Sequence, residues 1–357
     1  MKLFQCSHCG QLAFFENTHC SHCQSLLGFD PRSIDLLALE PSGDHLVTKH
    51  DGKIAYRYCE NKKQNACNWL VPFTASDQYC TACSLNRVIP DLSRPAYKKR
   101  WKKIEHAKHR LIYALLRWNL PFFPKDESSA KGLGFEFKAS QNQENVLTGH
   151  ASGIITMNIA EADDVERAMA RKQMDEVYRT VLGHFRHETG HYYWEVLIEE
   201  SAWLERFRSV FGDERISYSH ALELHYRNGP PANWQKNYIS SYASSHPWED
   251  WAESWAHYLH MVDTLETAYA FGMTINPNLT GIIDNVTTQF SEDAYGYVDF
   301  SQLLNQWTSL SLALNSLNRS MGLPDTYPFV ISHSVSRKLA FVHDLIHNRV
   351  SVSGQND

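Results

Sequence analysis

His187-Glu188-Thr189-Gly190-His191 spell H-E-x-x-H inside a stretch whose apolar residues recur at helical spacing. Residues four apart share one face of a helix, so both imidazoles can reach a single zinc ion. Glu188 can hold a water against that metal and take its proton as general base. The same five letters also fit two solvated histidines one turn apart. The reading therefore depends on a third ligand, because a catalytic zinc needs three protein ligands and one open position. The longer H-E-x-x-H-x-x-G-x-x-H pattern does not supply it: Trp194 stands where Gly would, and Leu197 where the last His would.

A better source lies downstream, in His246-Pro247-Trp248-Glu249-Asp250-Trp251-Ala252-Glu253. Pro247 suits the first turn of a helix. Glu249 and Glu253 then share a face, where Glu249 can ligate zinc and Glu253 can orient a zinc-bound imidazole. Trp251, Trp255 and Leu259 make the opposite, packing face. Glu199, Glu200, His220, His246 and His257 compete with Glu249 as third ligand. His184, one turn before His187, fits simple packing or a contact beside the metal.

These residues need elements to hold them. One long helix over 163–197, capped by Asp163 or Asp164, would carry the histidine pair. Gly190 would let a strand or a substrate backbone approach closely. Residues 135–138 alternate as a strand does, and 153–159 form a mostly apolar β-branched run. Residues 280–350 read as mainly helical, with a core stripe of Leu303, Leu304, Trp307, Leu310, Leu314 and Leu317 and a further helix over 337–347. The polar tail 351–357 reads as disordered.

All eight cysteines precede residue 84. Cys6-x-x-Cys9 and Cys20-x-x-Cys23 are two knuckles that complete one tetrahedral shell. Cys59, Cys67, Cys80 and Cys83 form a looser second quartet that fits either a second zinc or buried free thiols. Four thiolates leave no open position, so such sites are structural. The segment between them alternates in short runs, with turns at Ser42-Gly43 and Asp51-Gly52.

The net charge of −6 hides an asymmetry: residues 1–125 hold 18 Lys+Arg against 10 Asp+Glu, and the remainder 16 against 30. Residues 1–50, however, hold three basic and five acidic residues, which gives little support to a nucleic-acid role for the ribbon. The basic run 94–110 carries Trp101, Ile104, Ala107, Leu111, Ala114, Leu115 and Trp118 at helical spacing, so its charges read as the solvated face of a helix. No apolar run is long enough for a membrane span. Clustered thiols and the lack of a secretory pattern at the N-terminus point to the cytoplasm.

H-E-x-x-H on one helix and E-x-x-x-[DE] on a later one is similar to the gluzincin metallopeptidases. Glu249-Asp250-Trp251-Ala252-Glu253 looks like the E-x-x-A-E form of the anthrax-lethal-factor-like branch. Tyr242, seven residues before Glu249, belongs to that pattern. The whole chain resembles a bacterial family of zinc-binding metallopeptidases with an N-terminal zinc-ribbon domain. The 57 residues between His191 and Glu249 depart from compact gluzincins.

The resemblance implies an α+β chain. A mostly helical, zincin-like core over 132–350 would follow a small β-rich double zinc-ribbon module over 1–92 and a basic helix and linker over 93–131. It implies one catalytic Zn2+ beside one or two structural ones, and peptide-bond hydrolysis of a peptide or protein substrate. Tyr242 would donate to the oxyanion. The strand near 154–159 would pair with an extended peptide along its edge. The competing function is a regulatory protein that docks on protein or nucleic acid through its ribbons, with a non-catalytic zincin scaffold.

Overall fold

The computed structural model describes residues 2–50, 52, 54–127, 129–140, 146–163, 180–278, 286–296 and 299–353. They fall into two compact units, Met1–Asp163 and Asp164–Asp357. Among the described residues no helix is long and apolar enough to cross a membrane.

In the first unit β1 (Phe4–Gln5) and β2 (Leu12–Ala13) form an antiparallel hairpin around the first cysteine knuckle. An antiparallel meander follows: β3 (Leu26–Asp30), β4 (Asp35–Ser42), β5 (His45–Thr48), β6 (Ala55–Tyr58) and β7 (Leu70–Pro72). So small a module has little volume to bury, and large aromatic side chains fill it efficiently. Phe15 and Phe29 meet at 4.9 Å, and Phe29 and Trp69 at 4.6 Å.

A second sheet has the order β10-β11-β9-β8, built from β8 (Asn86–Val88), β9 (Gly134–Lys138), β10 (Gly149–Ala151) and β11 (Ile154–Asn158). The strand expected to pair with substrate is β11. It lies between β9, to which it is parallel, and β10, to which it is antiparallel. Both its edges are already paired, so that expectation is corrected: only an outer strand could accept an extended peptide.

Helix α1 (Pro95–Arg117) buries the expected stripe of Trp101, Ile104, Leu111, Ala114 and Leu115. It also buries Glu105, Lys108 and His109, so the charged run is not wholly a solvated face. Arg100 pairs with Asp163 at 3.0 Å and Arg110 with Glu16 at 2.6 Å, which ties two more of its cations into the unit.

The second unit is helical: α2 (Val181–Leu197), α3 (Trp203–Phe211), α4 (Tyr218–Asn228), α5 (Pro247–Ala270), α6 (Phe300–Ser320) and α7 (His333–Ser353), with a small hairpin of β12 (Thr274–Ile275) and β13 (Thr288–Gln289). Among the described residues, the helix expected over 163–197 begins at Val181. Thr180 is extended, with φ −120° and ψ 156°, and its Oγ1 accepts from Gly183 N at 2.9 Å. Thr180, rather than Asp163 or Asp164, is therefore the N-cap of α2. Asp163 instead ends a short 3-10 turn, and 164–179 lie outside the described residues.

Helix α5 is buried nearly all round, and among its apolar residues it also buries Glu249, Asp250, His257, Asp263 and Glu266. Gly190 sets its contact with α2: a Cβ there would lie 2.8 Å from Ala252 Cα. The close approach expected at Gly190 is thus to the backbone of α5, and Trp251 Nε1 donates to Gly190 O at 2.7 Å. The Leu stripe of α6 is core only at Leu303, Trp307 and Leu310; Leu317 is 59% exposed. The tail expected to be disordered from 351 is helical through Ser353, and 354–357 lie outside the described residues.

Candidate metal centres

Helices α2 and α5 bring His187, His191 and Glu249 to one point, with one ligand atom from each lying within 4.8 Å of the others. His187 Nε2 and His191 Nε2 are 3.2 Å apart. Glu249 Oε2 lies 3.0 Å from the first and 3.5 Å from the second. Ligands about 2.0–2.1 Å from a tetrahedral zinc lie about 3.3 Å from one another, so the triangle has the right size. Glu249 Oε2 is buried and makes no well-aligned hydrogen bond within the chain. Two imidazole nitrogens and one carboxylate oxygen are also a donor set that zinc favours, so the residues fit the metal.

The surroundings fix these groups. His187 Nδ1 meets Glu253 Oε1 at 2.8 Å, which leaves Nε2 as the lone-pair nitrogen facing the centre. Ser240 Oγ donates to Glu253 Oε2 at 2.6 Å, and Tyr218 OH donates to Glu249 Oε1 at 2.6 Å. The Trp248 ring packs 4.2 Å from that of His191, and the Tyr242 ring 5.9 Å from that of His187.

Electrostatics keep both carboxylates charged. Burial would raise the Glu249 carboxyl, but the charge of His191 and the two facing imidazoles hold it well below the usual range. Burial also acts on Glu253, yet its bond to His187 brings it down to about 2. Burial and the charge of Glu249 push the Tyr242 phenol well up, so it remains a hydrogen-bond donor. Glu188 is 8% exposed, and its charge contributes to raising both Tyr218 and Tyr242.

The competing ligands lie elsewhere. His246 is the N-cap of α5, its Nδ1 accepting from Trp248 N at 3.0 Å. Glu199, Glu200 and His220 are exposed. Tyr218, Ser240 and Trp248 were not singled out in the sequence, and no spacing there signals them.

His257 Nδ1 meets Tyr327 OH at 2.9 Å. Burial holds this imidazole down to about 4 from its ordinary 6.5. A depressed histidine stays neutral in the folded chain while the unfolded chain binds a proton. Its stabilising contribution is therefore present above pH 6.5 and is lost as pH falls towards 4. The expected loss is about 2 kcal/mol between pH 7 and pH 5, and His257→Gln should flatten it. Denaturation curves at the two pH values check this; equal pH slopes in the two proteins would refute it.

The cysteines gather into the two expected quartets, Cys6, Cys9, Cys20 and Cys23, and Cys59, Cys67, Cys80 and Cys83. Cys6 and Cys23 sulfurs are 3.7 Å apart, Cys9 and Cys20 3.6 Å, and Cys67 and Cys80 3.7 Å. A disulfide needs about 2.05 Å. Thiolates about 2.3 Å from one tetrahedral zinc lie about 3.8 Å apart, which matches. The second quartet is wholly buried, and backbone N–H groups of Trp69 and Cys80 point at Cys67 and Cys59 sulfurs at 3.3 and 3.4 Å. His109 Nε2 lies 3.6 Å from Cys83 Sγ.

Residues 97–345 match the family described as "Putative zinc-binding metallo-peptidase", and residues 3–94 match a zinc-ribbon domain. An uncharacterized protein of Mycobacterium bovis and uncharacterized proteins of two Mycobacterium tuberculosis strains are each 41% identical to this chain over 347 residues. Each match covers 97% of this chain and 95% of the relative. No solved structure matches the chain.

Proposed function

Because the chain belongs to that zinc-binding metallo-peptidase family, we propose that it hydrolyses peptide bonds at a gluzincin-type centre of His187, His191 and Glu249. The observation that carries the reading is the convergence of two imidazole nitrogens and a carboxylate oxygen from α2 and α5, backed by Glu253. We assign the peptidase site to the unit Asp164–Asp357 and a structural role to the two cysteine quartets of Met1–Asp163. The likeness to the lethal-factor-like branch belongs to this proposal too, supported by the Tyr242 ring 5.9 Å from that of His187.

Zinc, when bound there, supplies Lewis acidity and makes water acidic enough to lose a proton near neutral pH. Glu188 accepts that proton and returns it to the leaving amine. Tyr242 donates to the oxygen that becomes negative at the scissile carbonyl. Glu253 holds the ring of His187 in the productive tautomer.

Elemental analysis of the wild type beside His187→Ala and Glu249→Ala tests the reading. Three zinc ions per wild-type chain and one fewer in each variant are expected, together with cleavage of a peptide library by the wild type alone. Two zinc ions in all three proteins, unchanged by added metal, would confine zinc to the cysteines and favour a ribbon-based binding protein.

A further inference from the structure

Helix α4 has no buried residue, yet it reaches the proposed centre. Tyr218 OH donates to Glu249 Oε1 at 2.6 Å, and the Tyr218 ring stands edge-on to His246 at 5.2 Å and to Trp248 at 5.9 Å. Further along α4, the ring of His225 stands 6.2 Å from that of Tyr242. The carbonyl of Ile216, just before the helix, faces His246 Nε2 at 3.2 Å.

The path into and out of this segment is set by glycine. Gly212 has φ 105° and ψ −175°, and Gly229 has φ 74° and ψ −179°. Both fall in a region that is essentially closed to other residues. A Cβ at Gly229 would meet nothing within 4 Å, so the requirement there is conformational and not one of space.

A buried tyrosine hydroxyl usually finds a hydrogen-bond partner. Tyr218 is 38% exposed as a residue, yet the partner its hydroxyl finds is a carboxylate that is 1% exposed. That bond occupies Oε1 and leaves Oε2 as the oxygen that faces both imidazoles. A carboxylate bound through both oxygens would fill a further position around the metal, and a catalytic zinc must keep one open.

We infer that Tyr218 is a positioning residue that holds Glu249 to one oxygen, carried to the centre by a helix placed between two glycine turns. The inference rests on the zinc-peptidase reading above. Nothing in H-E-x-x-H or E-x-x-A-E contains it, because Tyr218 stands outside both motifs.

Tyr218→Phe keeps the ring and removes the donor. The full chain, with its cysteine sites filled, is loaded at the third site with zinc for chelator competition and with Co(II) for visible spectroscopy. Zinc affinity is expected to fall about 10–100-fold, the usual effect of losing a partner behind a ligand. The Co(II) bands are expected to shift as Glu249 adopts a new binding mode. The spectrum decides, because a merely structural tyrosine would not change the coordination. Unchanged bands overturn the inference, whatever the affinity, and leave the three ligands standing. A wild-type chain that takes up no third metal overturns both readings.

Discussion

Glu188→Gln is expected to lower peptide turnover by about 10²–10⁴-fold, the usual worth of a positioned proton acceptor, while zinc content stays at the wild-type level. Glutamine has the shape of glutamate, so the packing of a side chain that is only 8% exposed should survive. It cannot take a proton from water. Glu188 is not one of the three groups whose ligand atoms converge, so the metal should remain. KM should change little, because the lost interaction belongs to the proton-transfer step and not to substrate binding. Steady-state kinetics on a peptide found in the library screen, with metal analysis of the same sample, decide it. Activity within tenfold of wild type would place the base elsewhere. Loss of one zinc would make Glu188 a ligand.

The parts of this centre legible in the sequence are those that helix geometry alone can bring together. His187 and His191 lie one turn apart whatever surrounds them, and so do Glu249 and Glu253. That Glu249 Oε2 meets both imidazoles depends on the packing of α2 against α5, for which Gly190 was the only hint. The hint named a close approach but not its occupant, because a missing Cβ does not say which backbone fills the space. Tyr218 and Ser240 reach the site through the path of the chain between 198 and 246, and no local period encodes a path. The start of α2 is not legible because apolar spacing runs on across Thr180 and does not register its extended backbone, from which the helix begins. Strand 154–158 showed its composition but not its neighbours. Alternation records which face is buried, not which edge is paired.

Helix α1 shows the same limit in its charges, and here the energies are large. Glu105 and Lys108 sit three residues apart on the arc that also holds Ile104 and Leu111, and both are 0% exposed. Lys108 Nζ lies 2.9 Å from Glu105 Oε2, hydrogen-bonds Asn86 Oδ1, and stands 5.7 and 5.6 Å from the ring centres of Phe135 and Phe137. Asn86 Nδ2 donates to Glu105 Oε1 at 2.6 Å. Burial raises the Glu105 carboxyl even beside this cation. Lys108→Met would keep the volume and strand the carboxylate 3.9 Å from Cys83 Sγ. Breaking a buried pair on one side costs about 3–5 kcal/mol, so this single change is expected to remove a large share of the stability of Met1–Asp163. Glu105→Gln with Lys108→Met should recover most of it, since no uncompensated charge then remains. Denaturant unfolding of the two single variants and the double variant completes the cycle. A cost below about 1 kcal/mol for Lys108→Met, or a double variant no more stable than the single one, would show that the pair does not hold α1 in place.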